Sequence, residues 1–179
     1  MGNSFERVNS RTANNMDDKQ IAWPKEFDPG CCPIHVRNEI MIAASRHVIW
    51  QWLIRARLWP TWYSNSAEVQ ILSSPSLDLF ADARFSWRTF GVRLISQVRE
   101  FLPCERIAWD AVGLGVRAYH AWLLAETSHG VRVRTEETQF GWLARLNNFF
   151  LRNRMSYHHD RWLRNLRDNA ERGIPPDHV

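Results

Sequence analysis

His120 and Glu137 are the two side chains of this sequence best suited to do chemistry together. They fall on consecutive strand-like segments, where they can face one another. A carboxylate beside an imidazole holds one tautomer and can make the ring a general base near neutral pH. The same pair can equally be a satisfied internal hydrogen bond of structural value, because no nucleophile or metal-ligand set accompanies it. His158 and His159 are adjacent on a helix, so their side chains diverge by about 100° and cannot chelate one ion together. No C-x-x-C, H-E-x-x-H or phosphate-loop spacing occurs. No metal site and no cofactor are expected.

The elements that must position this pair are legible from period and punctuation. A first strand alternates Val36, Asn38, Ile40, Ile42 and Ala44 on one face. Ser45 is a helix N-cap, and Pro60 divides the helical stretch after it into two short helices ending near Tyr63. Six further strands are expected over 68–72, 83–89, 92–101, 106–111, 116–125 and 131–140. Breaks at Gly91, Pro103, Gly113-Leu114-Gly115 and His129-Gly130 are short, so neighbours run antiparallel. One long helix then runs from Gly141 to about Arg172, closed by Gly173 and Pro175-Pro176. Residues 1–33 are polar and aperiodic, read as a flexible tail or loose strap, and 173–179 as a second tail. The compact domain is 34–172.

Unpaired buried Arg is costly, so Arg93, Arg99, Arg106, Arg117, Arg132 and Arg134 should face water. Their neighbours then face inward: Leu94, Ser96, Val98 and Glu100; Ile107 and Trp109; Ala118, His120, Trp122 and Leu124; Val131, Val133, Thr135 and Glu137. Phe85, Trp87 and Thr89 join them. This inner face is apolar with sparse polar groups at Ser96, Glu100, His120, Thr135 and Glu137, the makeup of a pocket for a planar or lipid-like ligand. Simple core filling by the Trp residues is the competing reading.

The terminal helix carries two apolar stripes. Leu151, Met155, Trp162 and Leu166 should face the sheet. Trp142, Leu146, Phe149, Phe150 and Tyr157 should meet the short helices around Trp59 to Tyr63 as a pocket mouth, or form a homodimer contact. The expected lining is therefore Trp87, Ser96, Val98, Trp109, His120, Trp122 and Glu137 from the sheet, Phe150 and Met155 from the long helix, and Trp59 and Trp62 from the short ones. A binding pocket of this class should exceed about 300 Å³.

Composition narrows the partners. The chain has 179 residues, 45% of them apolar and 23% charged, which fits one soluble domain. Its net charge of +4 rests almost wholly on Arg scattered among Glu and Asp, so no nucleic acid is expected. Three cysteines, two of them the vicinal Cys31-Cys32, make no disulfide framework, and reduced thiols suit the cytoplasm. No apolar run approaches the roughly 20 residues of a membrane span. No secretory h-region precedes the domain, and Glu6 stands where a myristoylation signal needs Ser or Thr. The expected partner is a small hydrophobic molecule, and the chain a monomer or homodimer.

Ser45-x-x-Val48, Trp59-Pro60-x-Trp62-Tyr63, Phe85-x-Trp87 and Ser96-x-Val98-x-Glu100-x-x-Pro103-x-x-Arg106-Ile107-x-Trp109 occur in this order. His120-x-Trp122, Thr135-x-Glu137-x-x-x-Gly141 and Leu163-x-x-Leu166 complete the series. Together they resemble the START-related SRPBCC superfamily of polyketide cyclase-like and lipid-transfer proteins, over about residues 35–170. The resemblance implies an α+β helix-grip fold: a curved seven-stranded antiparallel sheet around a long C-terminal helix, with two short helices after the first strand. It implies binding or transport of a lipid, aromatic or polyketide-like ligand. The alternative it allows is a cyclase, aromatase or dehydratase in which His120 moves protons, Glu137 orients it and Ser96 holds a carbonyl. Arg55 lies where many members carry an acidic residue, so no role is carried over from that position.

Overall fold

A computed structural model describes residues 21–150 and 153–176. Its order is β1 (Ile34–Ile42), α1 (Arg46–Ile54), a 3-10 turn, α2 (Trp59–Trp62), β2 (Ala67–Ile71), β3 (Arg84–Thr89), β4 (Val92–Leu102), β5 (Arg106–Gly113), β6 (Val116–Thr127), β7 (Gly130–Phe140), α3 (Trp142–Phe150) and α4 (Arg154–Ala170). All seven strands form one antiparallel sheet in the order β1-β7-β6-β5-β4-β3-β2. Hairpins join β3 through β7, as the short Gly and Pro breaks require, and the first strand closes against the last. The fold is the expected α+β helix-grip. Ser45 caps α1 by accepting the Val48 N–H at 3.3 Å.

The sheet's inner face packs on α4 through aromatic rings. Trp162 stacks on Tyr63 at 4.5 Å and meets Trp59 and Trp122 edge-on at 5.2 and 5.0 Å. Rings of this size bury large areas and lock one another by shape. Leu163 and Leu166 are buried beside them, so Met155, Trp162 and Leu166 of the expected stripe face inward, and Leu151 lies outside the described residues.

Three expectations change. The terminal helix is two helices: Asn153, at φ −104° and ψ 4°, stands outside helical geometry before α4. The stripe expected at the short helices faces outward instead, with Leu146 47%, Phe149 81% and Tyr157 57% exposed. α3 turns Leu143 and Ala144 inward in its place. Glu100 leaves the inner face because a β-bulge between Val98 and Glu100 inserts a residue and reverses the alternation. Phe101 then points inward against Trp50 at 5.3 Å, and Glu100 accepts the Ala22 N–H on the outer face.

The expected tails also carry packed segments. Ile21 and Phe27 are buried with Tyr119, Ala121 and Leu123 on the sheet's outer side, and Thr138 donates to the Phe27 carbonyl at 3.0 Å. At the other end, the Trp52 indole N–H donates to the Gly173 carbonyl at 2.7 Å, and Arg55 reaches the Pro176 carbonyl at 2.6 Å. Expectations for 1–20 and 177–179 lie outside the described residues.

Candidate functional site

β6 and β7 pair with His120 directly opposite Glu137, so one register position brings the imidazole to the carboxylate. His120 Nδ1 lies 3.3 Å from Glu137 Oε2. The other ring nitrogen is 2.6 Å from the hydroxyl of Thr135, two residues along β7 on the same face. α4 supplies a third group. His159 Nε2 stands 3.0 Å from the same carboxylate oxygen, and its ring stacks on that of His120 at 5.0 Å. Gln139 donates to the second carboxylate oxygen. His120, Glu137 and His159 are all buried.

The sequence carries a signal for His159 beyond its adjacency to His158. Met155, His159, Trp162 and Leu166 succeed one another at spacings of four, three and four, the repeat of one helix face. The period that places Trp162 on the inward stripe therefore places His159 there too. Among the described residues, His120, Glu137 and His159 each offer one possible ligand atom, all within 4.8 Å of one another, a grouping the sequence reading did not bring together. The set comes from three elements, so no local motif spells it.

Burial drives the His120 ring toward its neutral form, lowering its pKa to about 3 despite the opposing pull of Glu137. Burial would raise Glu137, but His120, His159 and Gln139 outweigh it and hold the carboxyl low, at about 2. Burial thus favours the neutral ring at His120, while the neighbours of Glu137 favour its ionised form.

The cluster forms one end of a cavity of about 90 Å³. Trp87, Leu94, Trp109 and Ala118 wall it from the sheet, Leu143 and Ala144 from α3, Met155 and Trp162 from α4. Of the expected lining, Trp87, Trp109, His120, Glu137 and Met155 reach this cavity. Ser96 does not; its hydroxyl accepts the Trp87 indole N–H at 3.1 Å. Val98, Trp59 and Trp122 are fully buried in the core, where the Trp59 N–H donates to the Leu53 carbonyl at 3.0 Å. Trp62 sits edge-on to Trp52 at 6.3 Å, away from the cavity. The expected Phe150 side chain lies outside the described residues. The cavity is smaller than the expected 300 Å³ because Trp162 and α3 fill space that the strand pattern leaves open.

A family model described as polyketide cyclase / dehydrase and lipid transport matches residues 33–171. No curated protein matches the sequence. Among solved structures, hypothetical protein jhp0584 from Helicobacter pylori is 30% identical with a TM-score of 0.78, over 84% of this chain and 96% of that one. The Zhui aromatase/cyclase from Streptomyces sp. R1128 is 14% identical with a TM-score of 0.62, over 78% of this chain and 94% of that one. A START superfamily protein from Mycobacterium smegmatis is 13% identical with a TM-score of 0.59, over 75% of this chain and 97% of that one. The last two likenesses are of fold.

Proposed function

The chain belongs to the polyketide cyclase/dehydrase and lipid transport family, and on that premise we propose that it binds a compact, mainly apolar molecule bearing one polar oxygen. The observation that carries this reading is the charged cluster at the end of a Trp-walled cavity. An ionised carboxylate is expensive to desolvate, and its use is to take a hydrogen bond that apolar walls cannot offer. His120, His159 and Gln139 already engage Glu137, so a ligand hydroxyl joins or replaces one of these contacts while its hydrocarbon part lies against Trp87 and Trp109.

Cavity size sets the ligand class. A cavity of about 90 Å³ suits a small single ring. A polyketide- or lipid-sized guest is larger than this cavity, which Leu143 and Ala144 of α3 help to line. No helix among the described residues is long and apolar enough to cross a membrane.

Tryptophan fluorescence tests the reading, because Trp87, Trp109 and Trp162 line the cavity. Titration with phenol should perturb the emission and bind at least about tenfold tighter than benzene, the worth of one charge-assisted hydrogen bond. Glu137→Gln should erase most of that preference. Equal binding of both probes, or no response to either, would sink the proposal.

The cyclase or dehydratase reading draws on the direct pairing of His120 with Glu137 and on the fold shared with an aromatase/cyclase. It is the weaker reading. A general base works best with a pKa near the working pH, and His120 is held at about 3. Turnover that survives His120→Ala and Glu137→Ala together would remove this mechanism.

A further inference from the structure

We propose that His120, Glu137 and His159 form a mononuclear site for a divalent first-row transition ion, with an open coordination position facing the cavity. This goes beyond ligand binding and does not depend on it.

Geometry carries the proposal. A tetrahedral ion with bonds of about 2.1 Å holds its ligand atoms roughly 3.4 Å apart. Glu137 Oε2 lies 3.3 Å from His120 Nδ1 and 3.0 Å from His159 Nε2. The third pair, His120 and His159, is bounded only by the 4.8 Å span of the whole set, and the two rings stack at an interplanar angle of 12°, so an ion that replaces the two Glu137 contacts draws both imidazoles onto it by side-chain rotation. All three ligands are anchored on regular elements: β6, β7 and α4. The donor types agree as well, because two imidazoles and a carboxylate suit zinc, iron, cobalt or nickel better than calcium or magnesium.

An outer shell is already in place. Thr135 Oγ1 sits 2.6 Å from His120 Nε2, where it orients the ring and leaves Nδ1 to face the ion. Gln139 holds the second oxygen of Glu137, which favours single-oxygen coordination through Oε2. Three protein ligands leave a fourth position, and the cavity lies on the cluster's open side. Sites that keep a position open are the ones that bind or activate a small molecule. The class of ligand implied is one with an oxygen donor that can complete the ion's shell.

The test uses the full chain, dialysed against EDTA and then titrated with Co²⁺. One equivalent should bind, with visible ligand-field bands, and Zn²⁺ should displace it. Glu137→Gln preserves side-chain size, so it should keep the fold by circular dichroism and lose more than 100-fold in Co²⁺ affinity, beyond the roughly 10–100-fold typical of outer-shell losses. His159→Ala should do the same; if it unfolds, Glu137→Gln alone decides. Thr135→Val should weaken binding by about 10–100-fold. His158→Ala, on the neighbouring helix face, should leave it unchanged. Failure of the wild type to retain Co²⁺ through gel filtration overturns the proposal. So does retention that is undiminished in Glu137→Gln and a folded His159→Ala. A phenol titration of the EDTA-treated chain reads ligand binding separately, so either conclusion can fall without the other.

Discussion

At the scale of single residues, the polar groups of the inner face divide into those that serve the cavity and those that serve the core. Ser96 belongs to the core: its hydroxyl is the acceptor for the buried Trp87 indole N–H. Ser96→Ala leaves that donor without a partner, at a cost of about 1–3 kcal/mol. Urea denaturation should show this loss, while phenol affinity stays near the wild-type value because Ser96 does not touch the cavity. A variant that keeps full stability but loses the ligand would return Ser96 to the site. His159 makes the converse case. It lies on a helix face filled otherwise by Met, Trp and Leu, and its burial is offset by the carboxylate it reaches on another element.

At the scale of elements, α3 is held against the sheet by two glycines. Gly141 has φ +118°, and a Cβ there would stand 2.3 Å from the Gly115 carbonyl oxygen. That same oxygen accepts the Leu143 N–H at 3.0 Å and so anchors the first turn of α3. Gly141→Ala is strained in backbone angle and in space at once, so it should lower stability by about 2 kcal/mol or more. Because α3 closes the cavity through Leu143 and Ala144, the variant should also bind more 8-anilinonaphthalene-1-sulfonate than the wild type. Unchanged stability and dye binding would show that α3 is not held by this junction. The bulge in β4 is a second device at this scale, since one inserted residue moves Glu100 off the cavity face and brings Phe101 to Trp50.

At the scale of the whole molecule, the sheet is covered on both sides. α4 packs on the inner face, and the segment containing Ile21, Trp23 and Phe27 packs on Ala108, Tyr119, Ala121 and Leu123 outside. Phe27 is 2% exposed and lies between Tyr119 at 5.5 Å and Phe140 at 5.3 Å. Phe27→Ala should therefore cost about 3 kcal/mol, the range for a buried aromatic, although the segment lies far along the chain from the strands it covers. Thermal denaturation will show whether it does; a melting temperature equal to the wild type's would mean that the segment contributes nothing to the fold. β6 announces this covering in its composition. Ala118 to Leu124 is apolar on both faces except for His120, which suits a strand with no side in water.

What the sequence by itself determined is the element order, the antiparallel hairpins and the inward set around His120 and Glu137. These depend on local rules: a period of two along strands, Gly and Pro at the breaks, and the cost of burying Arg. The pairing of His120 with Glu137 was legible for the same reason, since a hairpin brings its own two strands together. Only the tertiary structure decided that His159 completes the cluster, because its distance to Glu137 depends on how α4 crosses the sheet. It also decided that Trp59, Trp62 and Trp122 pack away from the cavity, since identical rings fill a core or line a pocket according to their neighbours. The outward turn of the Leu146 and Phe149 face was likewise beyond periodicity, which identifies an apolar stripe but not what stands opposite it. Cavity size came last of all, as the space left over once Trp162 and α3 have been placed.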